Sequence, residues 1–176
     1  ILSADPFCHY AWYNLGQAQA HTGLYEEAIQ SFEYAFLANE QFEAAYLDCA
    51  ELCLETGKPQ RALQCYLEVL ERFEPHNDLY FQLGCCYETL GLYEHAIRFF
   101  CEVICNEPYD DEAQFRIGRC YAARKMWRKA IRHFNEALEL EEQREEYHLA
   151  LAEALECTGQ TKQAAAHFNL ALDLAP

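Results

Sequence analysis

The stretch TGLYEEAIQSF, residues Thr22–Phe32, decides the fold because variants of it recur along the chain. TGKPQRALQCY follows at residues 56–66, and LGLYEHAIRFF follows at residues 90–100. Two further steps of 34 residues reach RKMWRKAIRHF at residues 124–134 and TGQTKQAAAHF at residues 158–168. A fixed period of this length indicates a repeat architecture, in which each repeat packs on its neighbours.

Five repeats align in register, without insertion or deletion, when each is numbered from position 1 to position 34. They span residues 9–42, 43–76, 77–110, 111–144 and 145–176, and residues 1–8 are predicted to be the tail of a preceding repeat. Position 20 is Ala in all five repeats, position 24 is always Phe or Tyr, and position 8 is always Gly or Ala. The alignment predicts a single domain across residues 1–176.

Each repeat carries two apolar stripes at helical spacing. In repeat 3 the first stripe contains Tyr80, Leu83 and Tyr87, and the second contains Phe100 and Val103. Gly at position 15 ends the first helix in four repeats, because Gly accepts the left-handed conformation found at helix C-termini. The small residues at positions 8 and 20 allow two helices to approach closely. One helix pair cannot bury both stripes, so the sequence predicts an all-α solenoid of stacked antiparallel helix pairs.

The residues at these positions resemble the tetratricopeptide repeat family. The family pattern is W-x2-L-G-x2-Y, followed by G, A, F, A and P at fixed offsets. Repeat 1 matches it with Trp12, Leu15, Gly16, Gly23, Ala28, Phe32 and Ala35. Four residues depart from the pattern: Gln19, Gln114, His148 and Lys125. The resemblance covers essentially the whole chain, and it implies a right-handed superhelix whose first helices line a concave groove.

Members of this family commonly hold a peptide or a partner's helix in that groove. Carried over by position, the groove-facing residues are Tyr10, Tyr13, Asn14, Gln17, His21, Leu47, Asp48, Glu51, Glu55, Phe81, Gln82, Cys85, Glu88, Phe115, Arg116 and Arg119. The rings at position 5 (Tyr13, Phe81 and Phe115) suit an apolar floor, because aromatic anchors supply much of the energy of binding. The alternative is that position 5 is half-buried between neighbouring helices.

Some family members clamp the C-terminal carboxylate of heat-shock chaperones with Lys and Asn in the first two repeats. Tyr13, Gln17 and Asp48 occupy the corresponding places here. The resemblance therefore argues against that ligand.

The net charge of −16 argues against a nucleic-acid partner, because phosphate contacts need clustered Lys and Arg. The sequence has no run of eighteen apolar residues, so we expect no membrane insertion. Eight of the thirteen basic residues nevertheless fall in repeat 4: Arg116, Arg119, Arg124, Lys125, Arg128, Lys129, Arg132 and Arg144. Together with Trp127 they could grip an acidic segment. The interpretation we favour is a solvated face that pairs with acidic neighbours such as Glu88, Glu94 and Glu153.

The ten cysteines form no CxxC pair. Cys49/Cys53 and Cys101/Cys105 are four residues apart, which places both thiols of each pair on one helix face, but a metal would need further ligands. Free Cys packs as a small hydrophobe, so we predict reduced thiols and no metal. The reduced thiols, together with the absence of a signal-peptide pattern in residues 1–8, indicate a cytoplasmic location.

Catalytic motifs are absent from the sequence. The seven histidines show no HExxH spacing, and the chain has no GxGxxG or P-loop pattern. His21 with Glu51 and Glu55 could bind a cation, but a surface His near acids is far commoner than a metal site. We therefore predict no enzyme and no cofactor.

The function that these observations predict is a scaffold that binds a peptide or helix of a partner protein in its groove. Two alternatives stay open. The chain could be a tetratricopeptide segment of a larger protein whose activity lies elsewhere, or a thiol-based protein that responds to metals or redox conditions. The apolar stripe of the last helix, with Phe168, Leu172 and Leu174, predicts self-association through an uncapped C-terminal helix or coverage by further helices.

Overall fold

The computed structural model describes residues 8–175, which form ten α-helices and contain no strand. In chain order the helices are α1 Cys8–His21, α2 Tyr25–Ala38, α3 Glu43–Glu55, α4 Pro59–Arg72, α5 Asn77–Thr89, α6 Tyr93–Asn106, α7 Asp111–Ala123, α8 Trp127–Leu140, α9 Glu145–Cys157 and α10 Thr161–Leu174. The chain divides between Leu90 and Gly91 into two compact units. Unit 1 holds α1 to α5, and unit 2 holds α6 to α10.

Neighbouring helices pack on one another within each unit. In unit 1, α2 packs on α1 and α3, and α4 packs on α3 and α5; in unit 2, α7 packs on α6 and α8, and α9 packs on α8 and α10. Only three residues separate α1 from α2, so these helices run in opposite directions. The predicted stack of antiparallel helix pairs is confirmed within each unit. The predicted tail at residues 1–8 lies outside the described residues, apart from Cys8, and so does Pro176.

The turns within the repeats take the left-handed conformation that the glycines at position 15 predict. Gly23, Gly57, Gly91 and Gly159 have φ between 71° and 80°. In the first turn, Gly23 donates its N–H to Ala20 and Leu24 donates its N–H to Gln19, which satisfies the carbonyls at the end of α1. Lys125 occupies the same position in repeat 4 with φ 57°, and it is the one non-glycine residue with positive φ among residues 8–175.

Close approach between the two helices of a repeat explains the glycines at position 8. A Cβ atom added at Gly118 would lie 2.5 Å from ring carbons of Phe134, and one added at Gly16 would lie 2.7 Å from the ring of Phe32. The ring at position 24 therefore fills the space that a side chain at position 8 would need.

Three of the residues that depart from the family pattern have a polar partner at position 23 of the same repeat. A buried polar side chain is costly unless it is hydrogen-bonded, and position 23 supplies the bond in each case. The pairs are Gln19–Ser31 at 2.6 Å, Gln114–His133 at 2.9 Å and His148–His167 at 3.0 Å.

The last helix is partly covered by its own unit. Phe168 is partly buried and packs against the core of unit 2, so it is less exposed than the predicted stripe requires. Leu172, by contrast, is 72% exposed, and Leu174 is exposed as well. Self-association through these two leucines stays a prediction.

Candidate functional site

Five of the predicted groove residues line one open pocket between α1 and α3, which we call the acidic pocket. They are Gln17, His21, Asp48, Glu51 and Glu55. The pocket has a volume of about 230 Å³, and Ala20, Phe32 and Leu52 supply its apolar lining. The structure therefore brings together residues from the first helices of repeats 1 and 2, as the position-by-position alignment predicts.

A hydrogen-bond network fixes the wall of the acidic pocket on the α1 side. Gln17 donates from Nε2 to the Tyr13 hydroxyl at 2.8 Å and to Asp48 Oδ2 at 3.3 Å. Tyr13 and Gln17 can meet because residues four apart stack on one face of a helix. Asp48, in turn, ties α3 to α1. Three polar side chains thus hold one another in place at the edge of the pocket.

The electrostatics of the acidic pocket favour a cation. Burial raises the pKa of the Glu51 carboxyl, and repulsion from Asp48 and Glu55 raises it further. Burial also raises the pKa of the Tyr13 hydroxyl to about 12, with a further contribution from its hydrogen bond to Asp48. Among residues 8–175, no Lys or Arg forms an ion pair with Asp48, Glu51 or Glu55. The pocket therefore carries negative charge that the described protein does not neutralise.

An aromatic cluster, which we call the aromatic rim, adjoins the acidic pocket through Tyr13, whose hydroxyl contacts Gln17. The ring of Phe42 lies 5.0 Å from the ring of Tyr13 and 5.2 Å from the ring of Tyr10, both in edge-to-face contact. Tyr10 is 50% exposed and Tyr13 is half-buried. These rings give a ligand in the acidic pocket an apolar surface to pack against.

The other predicted groove residues of unit 1 vary in exposure. Asn14 is exposed on α1. Half-buried residues on α3 and α5 make up the rest of the set: Leu47, Phe81, Gln82, Cys85 and Glu88. Their role in binding stays a prediction.

Phe115 is a correction to the predicted groove. It is only 1% exposed, and its ring stacks on Tyr147 at 4.3 Å. The Tyr147 hydroxyl donates to Asp111 at 2.7 Å, which holds the covering ring in place. Phe115 is therefore a core residue of unit 2, and the alternative interpretation of position 5 applies to it in full. The residue that buries it, Tyr147, stands at position 3 of the following repeat.

The two predicted groove arginines of unit 2 are paired with carboxylates. Arg116 donates from Nε to Glu112 at 2.8 Å, and Arg119 lies 3.8 Å from Glu146. The Arg119 guanidinium also lies over the Phe115 ring, 6.0 Å from its centroid. Unit 2 therefore has no counterpart of the acidic pocket among these residues.

The surroundings of the cysteines bear on the alternative of a thiol-based protein that responds to metals or redox conditions. Cys49, Cys53, Cys65, Cys86 and Cys120 are buried. Within the described part of the chain, no group of three or more His, Cys, Asp or Glu side chains could hold a metal ion.

None of the ten helices has the length and apolar character needed to span a membrane.

Models of the tetratricopeptide repeat match residues 1–40, 78–106 and 111–144 of this sequence. The chain belongs to the tetratricopeptide repeat family, and its fold is the α-solenoid of that family. The family and this fold support a protein-interaction scaffold. Proteins of this family are typically non-enzymatic.

Solved structures of two proteins illustrate the similarity of fold. A crystal structure of MamA has a TM-score of 0.88 with 16% sequence identity, covering 96% of this chain and 92% of that one. MamA from Desulfovibrio magneticus gives 0.86 with 21% identity, covering 94% of each chain. YrrB, described as a TPR protein with an unusual peptide-binding site, gives 0.78 with 18% identity, covering 94% of this chain and 85% of that one.

One sequence relative is the mouse protein O-mannosyl-transferase TMTC3. The two sequences are 33% identical over 72 residues, which is 41% of this chain. The matched stretch spans only 8% of the length of the mouse protein.

Proposed function

We propose that this chain is a non-catalytic interaction scaffold, and that the first helices of unit 1 bind a peptide or helix of a partner protein. A Lys or Arg side chain of the partner enters the acidic pocket between α1 and α3. The observation that carries this proposal is the set of three carboxylates, Asp48, Glu51 and Glu55, that share one pocket without a basic partner in the described protein.

Charge neutralisation supplies the driving force for this interaction. The raised pKa of Glu51 reports the cost of holding negative charge beside Asp48 and Glu55 in a partly buried place. An ammonium or guanidinium group in the pocket relieves that repulsion. It donates charge-assisted hydrogen bonds to the three carboxylates. A hydrogen bond to a charged group contributes about 1.5–3 kcal/mol, so one well-placed cation is sufficient for selectivity.

The aromatic rim supplies the apolar part of the interface. Tyr13 contacts Gln17 of the acidic pocket, and Tyr10 joins Tyr13 through Phe42. Both Lys and Arg carry aliphatic stems that pack well against rings. Rings at the centre of an interface are frequent anchors, and truncation of a true anchor costs more than about 1 kcal/mol. Peptide binding by YrrB, a structure with the same fold, supports a peptide as the class of ligand.

The test uses a fluorescein-labelled peptide of alternating Lys and Leu, and a counterpart with Gln in place of each Lys. Fluorescence anisotropy measures the affinity of both peptides at 0.15 M salt. We expect the wild-type protein to bind the Lys peptide at least tenfold more tightly, a difference of about 1.4 kcal/mol. Glu51→Gln/Glu55→Gln should remove most of that preference.

The matched control is Glu71→Gln/Glu139→Gln, which changes the net charge equally at two exposed glutamates on α4 and α8. This variant should bind the Lys peptide like the wild type. Equal loss in both variants would show that only net charge matters. Unchanged binding by the Glu51/Glu55 variant would exclude the acidic pocket as the site.

A further inference from the structure

The eight basic residues of repeat 4 fall into two groups. Five arginines have a carboxylate of unit 2 within 3.8 Å. They are Arg116 with Glu112, Arg119 with Glu146, Arg124 with Glu94, Arg132 with Glu136, and Arg144 with Asp111 and Glu112. The predicted solvated face of paired charges is confirmed for these five, and the pairing of Arg124 with Glu94 matches one of the predicted partners.

Lys125, Arg128 and Lys129 form the second group. No carboxylate of residues 8–175 pairs with any of them. All three are exposed: Lys125 lies in the turn between α7 and α8, and Arg128 and Lys129 lie in the first turn of α8. The chain has 29 acidic residues against 13 basic ones, so a shortage of carboxylates does not explain why these cations stay unpaired.

These three cations surround an apolar surface. Together with Met126, Trp127 and Thr158 they line an open pocket of about 420 Å³, which we call the turn patch. Trp127 packs against the buried core of unit 2, so its ring has a fixed place at the base of the patch. Lys129 is positioned as well, because its Nζ lies 5.1 Å from the centroid of the Tyr121 ring.

Lys125 occupies the patch in a backbone conformation that disfavours it. Its φ of 57° lies in the left-handed region, where the other four repeats have Gly. A non-glycine residue costs about 1–2 kcal/mol in that conformation. Repeat 4 thus accepts local strain and gains a positive charge at the edge of the turn patch.

We propose that the turn patch is a second docking surface, and that its partner is an acidic segment of another protein that carries an apolar side chain. The carboxylates of the segment pair with Lys125, Arg128 and Lys129, and the apolar side chain seats against Met126 and Trp127. Charge complementarity selects this occupant, since three unpaired cations within five residues attract carboxylates most strongly where no internal acid competes.

A nucleic acid fits the turn patch less well than an acidic protein segment. Phosphate contacts dominate the affinity for nucleic acids, and the net charge of −16 repels a polyanionic backbone outside the patch. A short acidic segment needs only a few cations and one apolar contact. The turn patch lies in unit 2 and shares no residue with the acidic pocket, so the two proposals stand independently.

The test uses a fluorescein-labelled peptide of alternating Glu and Phe, and a counterpart with Gln in place of each Glu, at 0.15 M salt. We expect the wild-type protein to bind the Glu peptide. Lys125→Gln/Arg128→Gln/Lys129→Gln should weaken that binding at least tenfold. Lys58→Gln/Arg61→Gln/Arg72→Gln is the matched control, because it removes three cations that pair with glutamates in unit 1, and it should change the affinity less than twofold.

The Lys125→Arg/Lys129→Arg variant keeps both charges and should retain at least half of the wild-type affinity. This control distinguishes a loss of charge in the triple Gln variant from a loss caused by misfolding. Wild-type affinity in the triple Gln variant of the turn patch would overturn the proposal. Equal binding of the Gln peptide, or displacement of the Glu peptide by single-stranded RNA or anionic vesicles at lower concentration, would overturn it too. A wild-type dimer in sedimentation that the triple variant loses would show that a second copy of the chain occupies the patch instead.

Discussion

Tyr13 and Phe115 occupy the same repeat position in units 1 and 2, and their surroundings differ. Tyr13 is half-buried at the edge of the acidic pocket, where its hydroxyl accepts a hydrogen bond from Gln17. Phe115 lies in the core beneath Tyr147. At position 3 of the following repeat, Ala45 stands where Tyr147 stands in unit 2. A ring at position 5 is therefore available to a ligand only where the next repeat brings no ring to cover it.

The pairing of charged residues also differs between units 1 and 2. In unit 1 the carboxylates of the first helices share a pocket and lack basic partners among the described residues. In unit 2 the arginines of α7 are neutralised by Glu112 and Glu146, and the unpaired cations lie at the turn instead. One repeated backbone thus presents an acidic surface on the first helices of one unit and a basic surface at a turn of the other.

Truncation of the two position-5 rings should produce the largest contrast in stability. Phe115→Ala removes a buried ring and should lower the free energy of unfolding by about 3–5 kcal/mol. Tyr13→Ala removes a half-exposed ring and should cost about 1 kcal/mol. Urea titrations followed by circular dichroism measure both values. Similar losses in the two variants would mean that the exposure of position 5 does not differ between the units.

Exchange of Lys and Gly at the turns should have a smaller effect, of opposite sign in the two units. Lys125→Gly relieves the left-handed strain and should stabilise the protein by about 1 kcal/mol, whereas Gly57→Lys should destabilise it by a similar amount. Thermal unfolding of the two variants measures the difference. A lower melting temperature for Lys125→Gly would show that Lys125 stabilises the turn rather than straining it.

Acidification should have the smallest effect, and it should act on one surface only. The pKa of Glu51 is raised, so affinity for the Lys peptide is full above that raised pKa and falls as the pH drops through it. Between pH 7.5 and pH 4.5, the ordinary pKa of a glutamate, we expect a loss of about two- to fourfold for the Lys peptide. The Glu51→Gln/Glu55→Gln variant lacks the titrating carboxyl and should show a smaller loss, so an equal loss in that variant would contradict this assignment.

The fold could be predicted almost completely from the sequence, because its determinants recur at fixed positions. Gly118 and Phe134 illustrate this: the ring leaves no room for a Cβ atom, so a small residue and a ring at those positions indicate a close helix pair. The acidic pocket could also be predicted, since Gln17, Asp48 and Glu51 follow from positions on the first helices.

The sequence-based predictions fail where the burial or pairing of a residue is set by a side chain in another part of the repeat or in the next repeat. The burial of Phe115 is set by Tyr147 in the next repeat, and the division of the basic residues is set by which arginines reach a glutamate. Arg124 is paired because it reaches Glu94, whereas Lys125, its neighbour in sequence, pairs with no carboxylate of the described residues. Such contacts need the distances between helices, which the repeat pattern does not contain.

The most direct test of the central proposal is to map where the Lys peptide binds. A benzophenone group on the peptide, activated by light, forms covalent cross-links that mass spectrometry assigns to segments of the protein. We predict cross-links on α1 and α3, around Gln17 and Glu51, and their loss in the Glu51→Gln/Glu55→Gln variant. Cross-links confined to α2 and α4, or to unit 2, would contradict the account.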